Sequence, residues 1–395
     1  MGPTYLSMST ETLMDEWTPP PEGRQVPAKP RTLSPPEDIE KLAGLLAKAK
    51  NSVILTEAAG SEVETFHALV DLCDSLALPV VETPSAIFAN FPKDHPMHQG
   101  NDFAPYKDEA DLIVVIRTRV PWYPPSNRPA NATVVIIDES PHRDDMAYQS
   151  LQADMYLEGD AAQTLSGLAQ AAKAAGMDSA AVNERRARLS QAHDEMVESK
   201  KAVQAEARNK KTIDPIWLCA ALSSVMPDDA VYVDEVTTHT PLLREHINWN
   251  EPQSLYTRQG GLGQGLGLSL GIKLANPDKP VVTLIGDGAF LYNPVLQSLG
   301  AARDYNLPTL IIIFNNKKYA AMQRMHVKMY PEGTAVETDT FHGTFINAPD
   351  YTKVAEASGA FGITIEDPEA LEEGLLKALE AVKGGQAAIV DVRLA

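Results

Sequence analysis

PVVTLIGDG (280–288) and LPTLIIIFNN (307–316) decide how the chain is read. Each is a short, uninterrupted apolar run ending in small or polar residues, the pattern of a strand buried on both faces of a parallel sheet. The stretch between them, Asn293 to Tyr305, has helical spacing, so it reads as one crossover helix. With the usual right-handed connection, the two strands share a sheet and Asp287 and Asn316 meet at its C-terminal edge, where open α/β sheets bind ligands. A carboxylate, an amide oxygen and a nearby backbone carbonyl form a hard oxygen set. Mg²⁺ prefers such ligands, completed by a diphosphate and water. Glycines flanking Asp287 admit a phosphate close to the backbone.

Working outward, VYVDE (231–235), the glycine-dense segment 260–271, a helix over Pro215–Val225, a helix at 350–358 and AAIVDVRL (387–394) extend this α/β unit over residues 212–395, with a variable loop after Asn316. Upstream, SVILTE (52–57), PVVET (79–83), DLIVVIR (111–117), TVVIID (133–138) and DMYLEGD (154–160) alternate with helical patterns and define a second α/β unit, residues 37–182. Residues 183–211 are polar and helix-prone and read as a solvated connecting helix. Residues 1–36 read as a stub, one strand and a capped turn, followed by a Pro-rich tether from Thr18 to Pro36. The predicted fold is α/β: two doubly wound parallel-sheet domains joined by a helical linker.

The 395 residues carry 34 Lys and Arg against 53 Asp and Glu, a formal charge of −19, which argues against nucleic acid or an anionic membrane as the main partner. No apolar run approaches the ~20 residues of a membrane helix. Met1 to Glu16 holds three acids and no base, unlike a signal or transit peptide. Cys73 and Cys219 cannot make a disulfide framework. A cytoplasmic enzyme acting on a small molecule is the expectation.

GDG, 26 residues, then NN resembles the metal and diphosphate motif of thiamine diphosphate (ThDP) enzymes. RQGGLGQGLGLSLGIKLA (258–275) is similar to the segment preceding it in acetolactate synthases and benzoylformate decarboxylases, and DEVTTHT (234–240) to their diphosphate-contacting segment. Residues 37–182 resemble their middle domain, and MGPTYLSMS the strand leading into it. The resemblance implies Mg²⁺ on Asp287, Asn316 and the Lys318 carbonyl. It implies diphosphate contacts from Gly286, Gly288, Ala289, Thr237 and Thr238, and Leu262, beside Gly261, beneath a bent cofactor. His239 and His326 would be the proton-transferring candidates, against a loop or packing role for each. Tyr292, Tyr319 and Gln323 would line a substrate pocket.

The family ordinarily begins with a further domain whose glutamate engages the cofactor's pyrimidine ring. The chain here starts where that domain ends, so a separate subunit is expected to carry it, within a hetero-oligomer of dimers. The reaction would be cleavage or ligation of a C–C bond in a 2-oxo acid or α-hydroxy ketone. Competing readings are a regulatory or scaffolding subunit with a relic cofactor site, an excised fragment, or an NAD-dependent oxidoreductase using GGLGQGLG, whose spacing fits GxGxxG poorly. The interval between GDG and NN is expected to enlarge a loop at Leu291–Pro294. His95 and His98 read as a surface loop. RTRVPW (117–122) lies where the family sometimes binds FAD or another nucleotide, and reads more readily as structural.

Overall fold

A computed structural model describes residues 5–19, 27, 30–142, 152–176, 178–257 and 260–394. Met1–Arg31 form one unit and Thr32–Ala395 another. In the first, Thr10–Met14 make helix α1, capped by Ser9, whose Oγ accepts from the Thr12 N–H at 3.2 Å. The strand expected in MGPTYLSMS is not formed over Tyr5–Ser9, which pair with no neighbouring strand; residues 1–4 lie outside the described residues. The same holds for 20–26 and 28–29, nine of the 19 residues of the expected tether. Helix α2 (Pro36–Lys48) begins on Pro36 itself, since proline's missing N–H costs nothing in a first turn.

The second unit opens with α2 and continues through β1 (Ser52–Thr56), α3 (Val63–Leu76), β2 (Val80–Glu82), α4 (Ala104–Lys107), β3 (Leu112–Ile116), β4 (Thr133–Asp138), β5 (Met155–Glu158) and α5 (Ala161–Ala174). The strands form an all-parallel sheet in the order β2-β1-β3-β4-β5. Its core face packs leucines of α2, α3 and α5 against Ile54, Val114 and Val135. The opposite face is covered by Phe103, Tyr106 and Trp122, the first two in or beside the short helix α4.

Helix α6 (Ser179–Arg208) follows, 30 residues long. It is not wholly solvated, as its composition suggests: Leu189, His193 and Ala207 are buried. Arg185 donates to the carbonyls of Leu76 and Ala77 at the end of α3.

Then come α7 (Pro215–Val225), β6 (Val231–Glu235), α8 (Thr240–His246), β7 (Leu255–Thr257), α9 (Gly265–Ala275), β8 (Val281–Gly286), α10 (Asp287–Tyr292), α11 (Val295–Asp304), β9 (Leu310–Asn315), α12 (Ala320–Met329), α13 (Thr334–Glu337), α14 (Tyr351–Ala357), β10 (Phe361–Ile365), α15 (Leu371–Lys383) and β11 (Ala388–Arg393). The six-stranded sheet, again all parallel, runs β10-β11-β9-β8-β6-β7. All six residues of β9 are buried, as a two-faced parallel strand requires. The helix expected over Asn293–Tyr305 is α11, and a short helix not marked in the sequence, α10, precedes it; Pro294 keeps the two apart because it cannot continue the ladder. Their joint is just Asn293 and Pro294, so no loop is enlarged there. The variable loop expected after Asn316 contains α12 and α13.

The two sheets are tied by side chains. Lys93 donates to the carbonyls of Arg244 and Ile247, the last turn of α8, and lies 3.5 Å over the Trp249 ring. Arg244 in turn donates to the Ala86 carbonyl at 2.5 Å. Lys93 and Arg244 are both buried.

Candidate functional site

β6, β8 and β9 are neighbours, and their register aligns Glu235 with Ile285 and Gly286 with Phe314, so three strands end together. Thr237 (φ 59°) and Lys317 (φ 56°) take left-handed conformations just beyond these ends, turning the chain sharply away. Asn315 and Asn316 have different tasks. Asn315 is buried and donates to Asp391 Oδ1 at 2.7 Å, while its Oδ1 accepts the Lys317 N–H at 3.2 Å. Asn316 is half-buried, and its Oδ1 accepts the Lys318 N–H at 3.0 Å.

Asp287 is 2% exposed; its Oδ1 accepts the Gly288 N–H at 2.9 Å and its Oδ2 has no hydrogen-bond partner. Dehydration pushes this carboxyl up to about 6, against the pull of the surrounding backbone N–H groups. A Cβ on Gly288 would lie 2.5 Å from the Tyr319 ring, so only glycine fits.

These residues wall a cavity of about 340 Å³. Thr237, Thr238, His239, Leu262, Gly286, Asp287, Gly288, Ala289, Asn316 and Lys318 all line it, together with Tyr292, Phe314, Tyr319 and Met322. Three expected site residues are not among them. Gly261 is exposed beside Leu262, and His326 projects from α12 between the rings of Tyr330 and Phe341, at 5.4 and 5.8 Å. His326 therefore does not line this cavity. Gln323 lines an adjoining hollow that shares His239, Asn316 and Lys318 with this cavity.

His239 is 7% exposed, with its ring 5.9 Å from Phe314. Burial first, and the Arg324 charge second, lower its pKa to about 4, so its imidazole is neutral at pH 7. An unfolded histidine titrates near 6.5. The unfolded chain therefore binds the extra proton between the two values, and stability falls as pH drops from about 6.5 to about 4. His239→Gln is expected to flatten that slope by up to about 3 kcal/mol. Urea unfolding at a series of pH values measures it, and parallel curves for the two proteins would refute the assignment.

One site residue carries no signal in the sequence reading. Glu235, fully buried, accepts the backbone N–H groups of Gly263 (2.6 Å), Gln264 (3.0 Å) and Gly265 (2.9 Å) and the Asn293 amide at 2.9 Å. It fixes the strap that bears Leu262. These donors at the start of α9 are consumed internally, which weighs against a dinucleotide reading of GGLGQGLG; Arg258 and Gln259 lie outside the described residues.

Two further expectations change or resolve in the first sheet. His98, placed by sequence on a surface loop, is 4% exposed and lies 3.4 Å from buried Glu82. At the C-terminal ends of β1 and β3, Arg119 is held by Glu57 at 2.6 Å and Arg117 by Glu62 at 3.0 Å. A Cβ on Gly60 would meet the Ala89 carbonyl oxygen at 1.6 Å, so the chain itself fills this edge.

Residues 235–392 match the description "Thiamine pyrophosphate enzyme, C-terminal TPP binding domain" and residues 39–168 "Thiamine pyrophosphate enzyme, central domain". The chain is 27% identical over 376 residues to the acetolactate synthase isozyme 3 large subunit of Escherichia coli, covering 92% of this chain and 62% of that protein. It is 26% identical over 401 residues to the benzoylformate decarboxylase of Pseudomonas aeruginosa, covering 96% and 69%. The fold superposes on a thiamine diphosphate-dependent 4-hydroxybenzoylformate decarboxylase of Rhodococcus jostii with a TM-score of 0.71 at 22% identity, over 94% of this chain and 66% of that one. The chain thus spans less than two thirds of the length of its acetolactate synthase relatives. No helix among the described residues is long and apolar enough to cross a membrane. The chain belongs to the thiamine pyrophosphate enzyme family and carries its central and C-terminal, cofactor-binding domains.

Proposed function

We propose that the cavity at the ends of β6, β8 and β9 holds ThDP and Mg²⁺, and that the protein is one part of a two-part C–C bond lyase or carboligase. The observation that carries this reading is the buried, unpartnered Oδ2 of Asp287. A dehydrated carboxylate with a free oxygen fits a divalent cation. Asp287, Asn316 and the Lys318 carbonyl would hold the metal, with Asn316 oriented by its bond from the Lys318 N–H. Gly286, Gly288, Ala289, Thr237 and Thr238 would face the diphosphate, and Leu262, beside Gly261, would support the cofactor's bend. Bound ThDP supplies a carbon nucleophile and an electron sink for 2-oxo acid or α-hydroxy ketone substrates. Neutral His239 on the cavity wall is placed to accept or return a proton, and Tyr292 and Tyr319, 6.5 Å apart, screen the mouth from water.

No glutamate is among the residues lining the cavity. Leu262, Tyr292, Met322 and Phe345 are exposed around or near its opening, apolar surface suited to a second polypeptide. The pyrimidine-binding half and its glutamate are accordingly assigned to a separate subunit in a hetero-oligomer. The chain alone, supplied with ThDP, Mg²⁺ and either pyruvate or benzoylformate, is expected to bind cofactor weakly and turn over neither acid. Turnover by the purified chain would overturn the two-part reading; absence of any Mg²⁺-dependent ThDP binding, even with its partner, would overturn the site. A relic site is the weaker reading, because a buried unpaired carboxylate lowers stability and is readily lost once function no longer retains it.

A further inference from the structure

The turn that follows β9 is supported by the strand beside it. β11 sets Asp391 opposite Ile313 and Arg393 opposite Asn315, so Asp391, Arg393 and Asn315 fall on one face of the sheet. Asp391 is fully buried. Its Oδ1 accepts from the Asn315 amide nitrogen at 2.7 Å, and its Oδ2 lies 2.8 Å from the Arg393 guanidinium. A buried carboxylate is costly unless paired, and here both oxygens are engaged.

The bond to Asp391 fixes which way the Asn315 amide points. Its nitrogen is committed to the carboxylate, so its oxygen faces the turn and accepts the Lys317 N–H at 3.2 Å. Lys317 is a non-glycine residue at φ 56°, a conformation that needs such support. Backbone bonds hold the same turn from outside. The Ile346 N–H donates to the Lys317 carbonyl at 3.0 Å, and the Tyr319 N–H to the Thr344 carbonyl at 2.7 Å. Between them the Lys318 carbonyl accepts no hydrogen bond among the described residues. After β8, fully buried Tyr351 donates to the Asp287 carbonyl at 3.4 Å. The oxygens assigned to the metal thus sit on backbone that is held on each side.

Rigid placement of ligands separates the two common hard cations. Mg²⁺ demands a near-ideal octahedron at short distances, whereas Ca²⁺ accepts a larger and irregular shell. We propose that Asp391, acting through Asn315, is a positioning residue that makes the site selective for Mg²⁺ over Ca²⁺. The proposal rests on the reading of the cavity as a ThDP and metal site, and names the residue that sets its metal preference. Neither Asp391 nor Asn315 lines the cavity, so both act through the turn.

The test is calorimetric titration of Mg²⁺ and, separately, Ca²⁺ into the assembled enzyme with ThDP in excess, beside thermal unfolding in a chelator. Asp391→Leu keeps the side chain's shape and removes the acceptor. It is expected to weaken Mg²⁺ about tenfold or more and Ca²⁺ by less than about threefold. Asn315→Ala leaves the Asp391–Arg393 pair in place and should shift the same ratio, which covers the case in which Asp391→Leu does not fold. Asp391→Asn is the rescue. Its amide oxygen can still accept from Asn315 while the ion pair is lost, so the unfolding midpoint falls but the parental preference for Mg²⁺ stays. Equal losses for the two cations in Asp391→Leu or Asn315→Ala would show a purely structural role and overturn the proposal. A preference changed as much in Asp391→Asn as in Asp391→Leu would also overturn it. If the parent binds ThDP with metal and the variants keep its preference, this proposal alone fails; if the parent shows no Mg²⁺-dependent ThDP binding, the cofactor assignment fails and takes the proposal with it.

Discussion

Asp287→Ala is expected to lower Mg²⁺-dependent ThDP affinity by about 100-fold or more in the assembled enzyme, and to raise the stability of the cofactor-free chain. The two effects share one cause. Asp287 is 2% exposed and its Oδ2 has no partner, so above its raised pKa of about 6 the native state carries a dehydrated charge. Alanine removes that cost, about 1–3 kcal/mol at neutral pH, and removes with it the cation's anchor. The Gly288 N–H loses its side-chain acceptor in the exchange. Calorimetric titration with ThDP and Mg²⁺ measures the first effect, and thermal unfolding in a chelator the second. Unchanged cofactor affinity would refute the metal site, whereas a large loss of stability would show that the carboxylate serves the fold.

Glu235→Gln should have the opposite profile. Four donors converge on this carboxylate, and an amide can satisfy only those that meet its oxygen; its NH₂ faces the others donor to donor. The expected loss is about 3–5 kcal/mol, with a Tm fall of about 10 °C. The damage should also reach the cofactor. Gly263, at φ +96° and with its Cβ direction 2.8 Å from the Tyr292 carbonyl oxygen, is held in one place by Glu235, and Leu262 is its neighbour. Differential scanning calorimetry and ThDP titration together provide the check. An unchanged midpoint would mean the strap is held by something else.

The central strands of both sheets were readable because parallel strands buried on both faces are continuous apolar runs: SVILT and LIVVI in the first, VVTLIG and LIIIFN in the second, announce themselves. Asp287 and Asn316 could be paired because one right-handed crossover brings adjacent strand ends together. What escaped has other physics. β10 is an edge strand with four of its five residues partly or fully exposed, and β7 has just three residues, so neither gives a clean period. Glu235 ends an apolar strand as many surface glutamates do, and its role lies in donors 28–30 residues further along the chain. His98 sits in a Pro-flanked segment that reads as surface; burial comes from α6, whose His193 donates to the His98 carbonyl at 2.9 Å. Long-range pairing of this sort has no local pattern.

Lys93 has a consequence for how such a chain can be taken apart. Its ammonium terminates α8, a helix of the other sheet's domain, and Arg244 of that helix holds the Ala86 carbonyl in return. The last carbonyls of a helix need donors, and here they come from across the domain boundary. Neither half is therefore an interchangeable module. Severing the chain near residue 211 would strip α8 of its terminus and loosen the threonine turn before it, and a chimera exchanging one half must import Lys93, Trp249 and the Ala86 loop as a matched set. The boundary is drawn in sequence by α6, but recombination would have to respect a lysine more than a hundred residues upstream of it.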